Sequence, residues 1–163
     1  MFFGRRPKVL VATGAKAPQF RLATLDGGTR SLDQILESGP VLLAFFKISC
    51  PVCQMTAPYL ERLSANSLLQ IVGISQDEAG PTRGFLDRYG VTFPVLLDSG
   101  DERYPASNAY GISSVPSLFL LDRDGTVVRS LAGFSKRDFE DIGEQVGVVP
   151  FGPDEHVPEW KAG

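Results

Sequence analysis

Cys50 and Cys53 are the only two cysteines in 163 residues, separated by Pro51 and Val52 and placed directly after the apolar run Val41–Phe46. A buried strand that ends in a C-x-x-C turn delivers the first sulfur to the start of the next helix. There, free backbone N–H groups and the positive end of the helix dipole favour a thiolate over a thiol. A free cysteine titrates near pH 8.5, and lowering that to roughly 7 raises the reactive fraction at neutral pH from a few per cent to about half. The spacing therefore points to a dithiol that cycles with a disulfide. Cys50 is expected as the exposed nucleophile. Cys53, one turn into the helix, is expected as the buried sulfur that resolves a mixed disulfide.

Other uses of the pair fit the sequence less well. A structural zinc site normally takes four ligands, and the chain offers two thiols and one distant histidine, His156, in a Pro-rich tail. A structural disulfide across so short a loop would constrain little of the unfolded chain. Haem attachment needs a histidine after the second cysteine, where Gln54 stands. No metal and no cofactor is expected.

A chain of this length is one domain with room for a sizeable core. Its 43% hydrophobic and 21% charged residues describe a globular protein. A net charge of −3 gives no electrostatic footprint for nucleic acid, and the basic cluster Arg5, Arg6, Lys8 reads as a solvated arm. Val9–Ala12 is too short an apolar stretch for the core of an export signal, and no run reaches the length of a membrane span. As written the chain is expected in the cytoplasm, as a monomer. Removal of an export signal from a precursor would place it outside.

The elements that must position the sulfurs follow from patterning. Short extended pieces around the turn Asp26-Gly27-Gly28 predict a small hairpin appended to the core, followed by a helical turn at Leu32–Leu36 capped by Ser31. Val41–Phe46, apolar without alternation, predicts a central parallel strand covered on both faces. A helix is predicted from Cys50 to about Ser67, with Met55, Leu60 and Leu63 facing inward, Pro51 in its first turn and Pro58 inside it. Gln70–Ser75 and Phe93–Leu97 read as strands, flanking a helix that Pro81 opens and Gly90 closes. Tyr104–Tyr110 reads as a short helix. Ser117–Leu121 and Thr126–Leu131 around Asp122–Gly125 make the clearest hairpin, and Ser135 caps a last helix whose apolar face is Phe139, Ile142 and Val146. The order predicts an α/β sandwich with a mixed central sheet. Residues 1–13 are expected as an N-terminal arm, 14–149 as the domain, and 150–163 as a tail whose prolines and glycines forbid regular structure, with no chemistry assigned to His156 or Trp160.

Three features now coincide: the strand running into C-x-x-C, Pro58 five residues after Cys53, and Val115-Pro116 opening a later strand before a hairpin. Together they resemble the thioredoxin fold, in which Val115-Pro116 falls at the place of the cis-proline. Gly14–Phe20, Tyr89–Asp98 and Tyr110–Pro116 extend the likeness to the AhpC/TSA-related thiol-disulfide reductases of the TlpA and ResA kind, from about Gly14 to Gly133. The long spacing from Cys53 to Pro116 leaves room for the inserted helix–strand unit of that branch, within a three-layer thioredoxin-like sandwich. The resemblance implies reduction of protein disulfides through a Cys50–Cys53 cycle, recharged by a thiol electron donor. It implies a substrate-facing surface formed by Pro51, Val52, Val115 and Pro116, with Val115 offering backbone groups to an extended substrate strand. It also implies an acidic residue after the strand that follows the active-site helix, which falls at Asp77 or the adjacent Glu78. Either could take the proton of Cys53, or both could be ordinary helix-start acids. Lys47 could favour the Cys50 thiolate, or simply extend into water. The tryptophan common before the first cysteine is replaced by Ser49, which bears on partner preference and redox potential.

Two alternatives are a peroxidase and a non-catalytic binding module of the same fold. Peroxidatic cysteines resemble one another in having a proline seven residues and a threonine or serine three residues before the sulfur. Those positions hold Leu43 and Lys47 for Cys50, and Phe46 and Cys50 for Cys53. Neither fits.

Overall fold

A computed structural model describes residues 8–163; Arg5 and Arg6 of the proposed basic arm lie outside the described residues. Strand β3 (Val41–Phe46) is the axis of the molecule. It pairs in parallel with β4 (Gln70–Ser75) and antiparallel with β6 (Ser117–Leu121). The full sheet runs β2-β1-β5-β4-β3-β6-β7, with β1 at Arg21–Thr24, β2 at Thr29–Ser31, β5 at Val95–Leu97 and β7 at Val127–Ala132. All six residues of β3 are buried because helices cover both faces.

Side-chain alternation divides the core into two layers of apolar contact. Val41, Leu43 and Phe45 pack with Val72, Ile74, Phe119 and Tyr110 under α1 (Leu32–Leu36) and α4 (Pro105–Ala109). Leu42, Ala44 and Phe46 face α2 (Pro51–Ala65), α3 (Ala79–Tyr89) and α5 (Lys136–Val146). The result is the mixed α/β sandwich that the element order predicts, in the three layers that the resemblance implies. Between α2 and β6 run β4, α3, β5 and α4, which fill the long spacing from Cys53 to Pro116. Among the described residues no helix is long and apolar enough to cross a membrane.

Local chemistry sets the element ends. Ser31 accepts from Gln34 N–H while the Gln34 side chain takes Ser31 N–H, a complete capping box. Gly90 and Gly147 close α3 and α5 in the left-handed region, at φ 67° and 75°. Ser135 accepts from Asp138 N–H at the start of α5.

Several details differ from the sequence expectations. The inward face of α2 is Cys53, Thr56, Ala57, Leu60 and Leu63; Met55 is half-buried, since five residues of helix rotate it by about 140° from Leu60. The helix ends at Ala65, and α3 begins at Ala79, two residues ahead of Pro81, which an opening turn accepts. Val146 is likewise half-buried, and Gly143 takes the inward place beside Phe139 and Ile142. Strand β5 starts only at Val95, because Pro94 has no N–H to give a ladder. The N-terminal hairpin is part of the central sheet: Ala23 and Thr24 of β1 pair with Leu97 and Leu96. The tail also departs from expectation. Trp160–Lys161 forms a strand, β9, antiparallel to β8 (Phe134–Ser135), and Phe151 is buried against Tyr59 and Phe139.

Candidate active site

The site lies where β3 runs out. Cys50 N–H donates to Lys47 O at 3.1 Å, turning the chain after Phe46, and Pro51 then occupies the first helical position, where no N–H is needed. Cys50 is the N-cap of α2, in extended conformation, and its Sγ accepts from Cys53 N–H at 3.2 Å. The sulfur thus fills the place that a serine or aspartate oxygen takes at other helix starts. Its S–H points to the Val115 carbonyl at 3.3 Å. The Val115–Pro116 peptide bond is cis. Phe45 pairs with Ser117 across β3 and β6, which sets the two loops side by side.

The two thiols occupy different surroundings. Cys50 is half-buried, Pro51 exposed and Val52 half-buried, so this end of α2 faces outward. Cys53 is 2% exposed, packed among Phe46, Ala57 and Leu118. Burial pushes the Cys53 thiol well above the range of a free cysteine; the Cys50 side chain and the negative charge of Asp77 act in the same direction, and the Lys47 backbone opposes them. The sulfurs are unbonded thiols.

Asp77 follows β4 and is half-buried. Its Oδ2 accepts from Ile48 N–H at 2.8 Å, and Gln54 Nε2 donates to Ile48 O at 2.9 Å. Ile48, two residues ahead of the nucleophile, is therefore held on both sides. Glu78 is exposed at the N-cap of α3, makes no side-chain cap bond, and is not among the groups acting on Cys53. Asp77 is thus tied to the loop ahead of Cys50, and Glu78 stands outside it. Lys47 is exposed and lines a recess of about 370 Å³ beside Val115, together with Lys8, Gln76, Ser107 and Asn108. Among the described residues, no group of three or more His, Cys, Asp or Glu side chains is placed to hold a metal ion.

Gln54 is a positioning residue outside the sequence expectations. Its only signal was its place one turn beyond Cys50, on the side of α2 that faces the loop. Asp98 was also missed: fully buried, its carboxylate accepts from Ala106 N–H, Ser107 N–H and Ser107 Oγ at 2.6–2.9 Å and so caps α4 from outside the helix.

The AhpC/TSA family model matches residues 13–130, a span that includes the dithiol, Asp77 and the cis-proline loop. The chain belongs to the AhpC/TSA family. Within 138 aligned residues it is 33% identical to the thiol-disulfide oxidoreductase ResA of Geobacillus thermodenitrificans, covering 82% of this chain and 77% of that one. ResA of Bacillus anthracis is 30% identical over 136 residues, covering 81% and 75%. Among solved structures, a candidate thiol:disulfide interchange protein DsbE from Chlorobium tepidum superposes with a TM-score of 0.72 at 27% identity, over 83% of this chain and 95% of that one. The thioredoxin domain of a Bacteroides vulgatus thiol-disulfide oxidoreductase shares the fold at a TM-score of 0.71 and 24% identity, covering 83% and 97%. This AhpC/TSA protein therefore has a thioredoxin-like fold, with its C-x-x-C pair at the mouth of α2.

Proposed function

We propose that the protein is a thiol:disulfide oxidoreductase that reduces protein disulfides. The observation that carries this reading is the position of Cys50 Sγ, between the first turn of α2 and the Val115 carbonyl, with Cys53 buried behind it. As a thiolate, Cys50 attacks one sulfur of a substrate disulfide. A Cys50–substrate mixed disulfide forms, and the second substrate sulfur leaves as a thiolate that takes up a proton. Cys53 gives its proton to Asp77 and attacks Cys50 Sγ, closing the Cys50–Cys53 disulfide and releasing the substrate as a dithiol. Two electrons pass from the protein to the substrate, and an external thiol donor restores the pair. Val115 presents its backbone to an extended substrate segment, with Pro51 and Val52 forming the opposite edge.

Insulin reduction in the presence of dithiothreitol tests the proposal. The native protein is expected to be active and Cys50→Ser inactive. Cys53→Ser is expected to stall as a mixed disulfide visible by mass spectrometry. Oxidation of Cys50 by peroxide that outpaces its exchange with disulfides would overturn the reading in favour of a peroxidase.

A further inference from the structure

The segment after α5 returns to the reactive end of the molecule. Arg62 holds Glu155 through both terminal guanidinium nitrogens, Nη1 and Nη2, Lys136 N–H donates to Glu159 O at 3.0 Å, and Trp160 and Lys161 pair with Ser135 and Phe134. Beyond that pair the backbone runs in van der Waals contact with two stretches of main chain. A Cβ on Gly133 would run into the Lys161 carbonyl and stand 3.3 Å from Gly163 N. A Cβ on Gly163 would collide with the Val115 carbonyl oxygen and stand 3.2 Å from Pro116 N. Only glycine permits so close an approach of backbone to backbone. The carbonyl that Gly163 presses against is the one that receives the Cys50 S–H at 3.3 Å.

We propose that residues 160–163 act as a strap, occupying in the free protein the strip of backbone beside Cys50 on which an extended substrate segment would lie, so that a protein substrate must displace them. The inference rests on the reading of Val115 as the seat of a substrate strand. The strap is built to leave. Trp160 and Lys161 are both exposed, their pairing is two residues long, and the Glu159 carboxylate that reaches Lys136 is 85% exposed. Nothing in the strap enters the core, so its release breaks few contacts, whereas Phe151 and Glu155 keep the preceding segment attached. A substrate that must first displace the strap binds with its affinity reduced by the fraction of molecules in which the strip is free. A disulfide small enough to reach Cys50 without lying along Val115 escapes that reduction.

Trp160 is the only tryptophan, so its fluorescence anisotropy reads the strap directly. In the full chain, Gly163→Val is expected to lower that anisotropy, because the added side chain cannot share space with the Val115 carbonyl. The same variant is expected to raise kcat/KM for insulin several-fold while changing the rate with a small aromatic disulfide less than twofold. In Cys53→Ser, trapping a peptide as a mixed disulfide is expected to lower the Trp160 anisotropy of the otherwise unaltered tail. Equal kcat/KM for insulin in the native and Gly163→Val proteins, or unchanged anisotropy on trapping, would overturn the strap. Thiols inert to both disulfides would instead sink the oxidoreductase reading. The strap would still be judged by the anisotropy of Gly163→Val, lowered if it is seated as proposed and unchanged if it is not.

Discussion

Asp77 acts on Cys53 in two opposed senses. Its negative charge helps to hold the buried thiol protonated, while its carboxylate is the acceptor proposed for that same proton. Asp77→Asn removes both effects and keeps an oxygen that can still accept from Ile48 N–H, so the loop ahead of Cys50 stays in place. Resolution of the mixed disulfide at neutral pH is expected to slow at least about tenfold, as loss of a positioned base does. The Cys53 titration is expected to move down, because a charge that opposed ionisation is gone. Quenched-flow trapping of the mixed disulfide and thiolate absorbance against pH read the two effects separately, and an unchanged resolution rate would reject Asp77 as the base. The unequal exposure of Cys50 and Cys53 was legible in the sequence because a three-residue spacing at a helix start fixes which sulfur is outside. Asp77 and Glu78 could not be told apart there. They are neighbours in the chain, and only the course of the loop after β4 turns one towards Ile48 and leaves the other exposed at the start of α3.

At the scale of elements, the sheet is tightest where β4 passes between its neighbours. A Cβ on Gly73 would stand 3.0 Å from Val95 Cγ2, 3.1 Å from Phe46 Cε1 and 3.2 Å from Phe93 Cε2. Gly73→Ala is therefore expected to cost about 1–3 kcal/mol, through overpacking of a region with no slack. A shift of the urea midpoint at unchanged slope would measure it. Ser31→Ala, which removes one half of the capping box of α1, is expected to cost about 1 kcal/mol by the same measurement. Elements that announce themselves by local chemistry were readable from residues alone: the unbroken apolar run of β3, the Ser31 cap, the glycine stop of α3. Those that exist only through a partner were not. Strand β9 has no apolar alternation of its own and forms because β8 offers an edge, and the hairpin β1–β2 gave no sign that β5 would take it into the sheet.

For the molecule as a whole, two buried groups make stability depend on alkaline pH. Burial holds the Cys53 thiol above the range of a free cysteine and the Tyr110 phenol, which donates to Pro18 O at 2.8 Å, above its ordinary 10.0. The unfolded chain loses these protons first, so the stability they share is intact below pH 9 and declines as the pH rises through 9 and then 10. Each unit beyond an unfolded pKa costs about 1.4 kcal/mol per group until the folded group also ionises. Urea unfolding of the reduced protein at increasing alkaline pH is expected to show this decline, less steeply in Cys53→Ser. A flat profile would mean that both groups ionise as readily in the fold as outside it. The central place of β3 carries one more implication, for how long the enzyme survives damage. Since this strand joins the end of one loop to the beginning of another through ladders on both its edges, neither half of the reaction centre can loosen alone. Amide hydrogen exchange at Phe45 and Leu118 should accordingly follow the slowest, global opening. On heating, catalytic competence should vanish in a single cooperative step together with the tertiary structure.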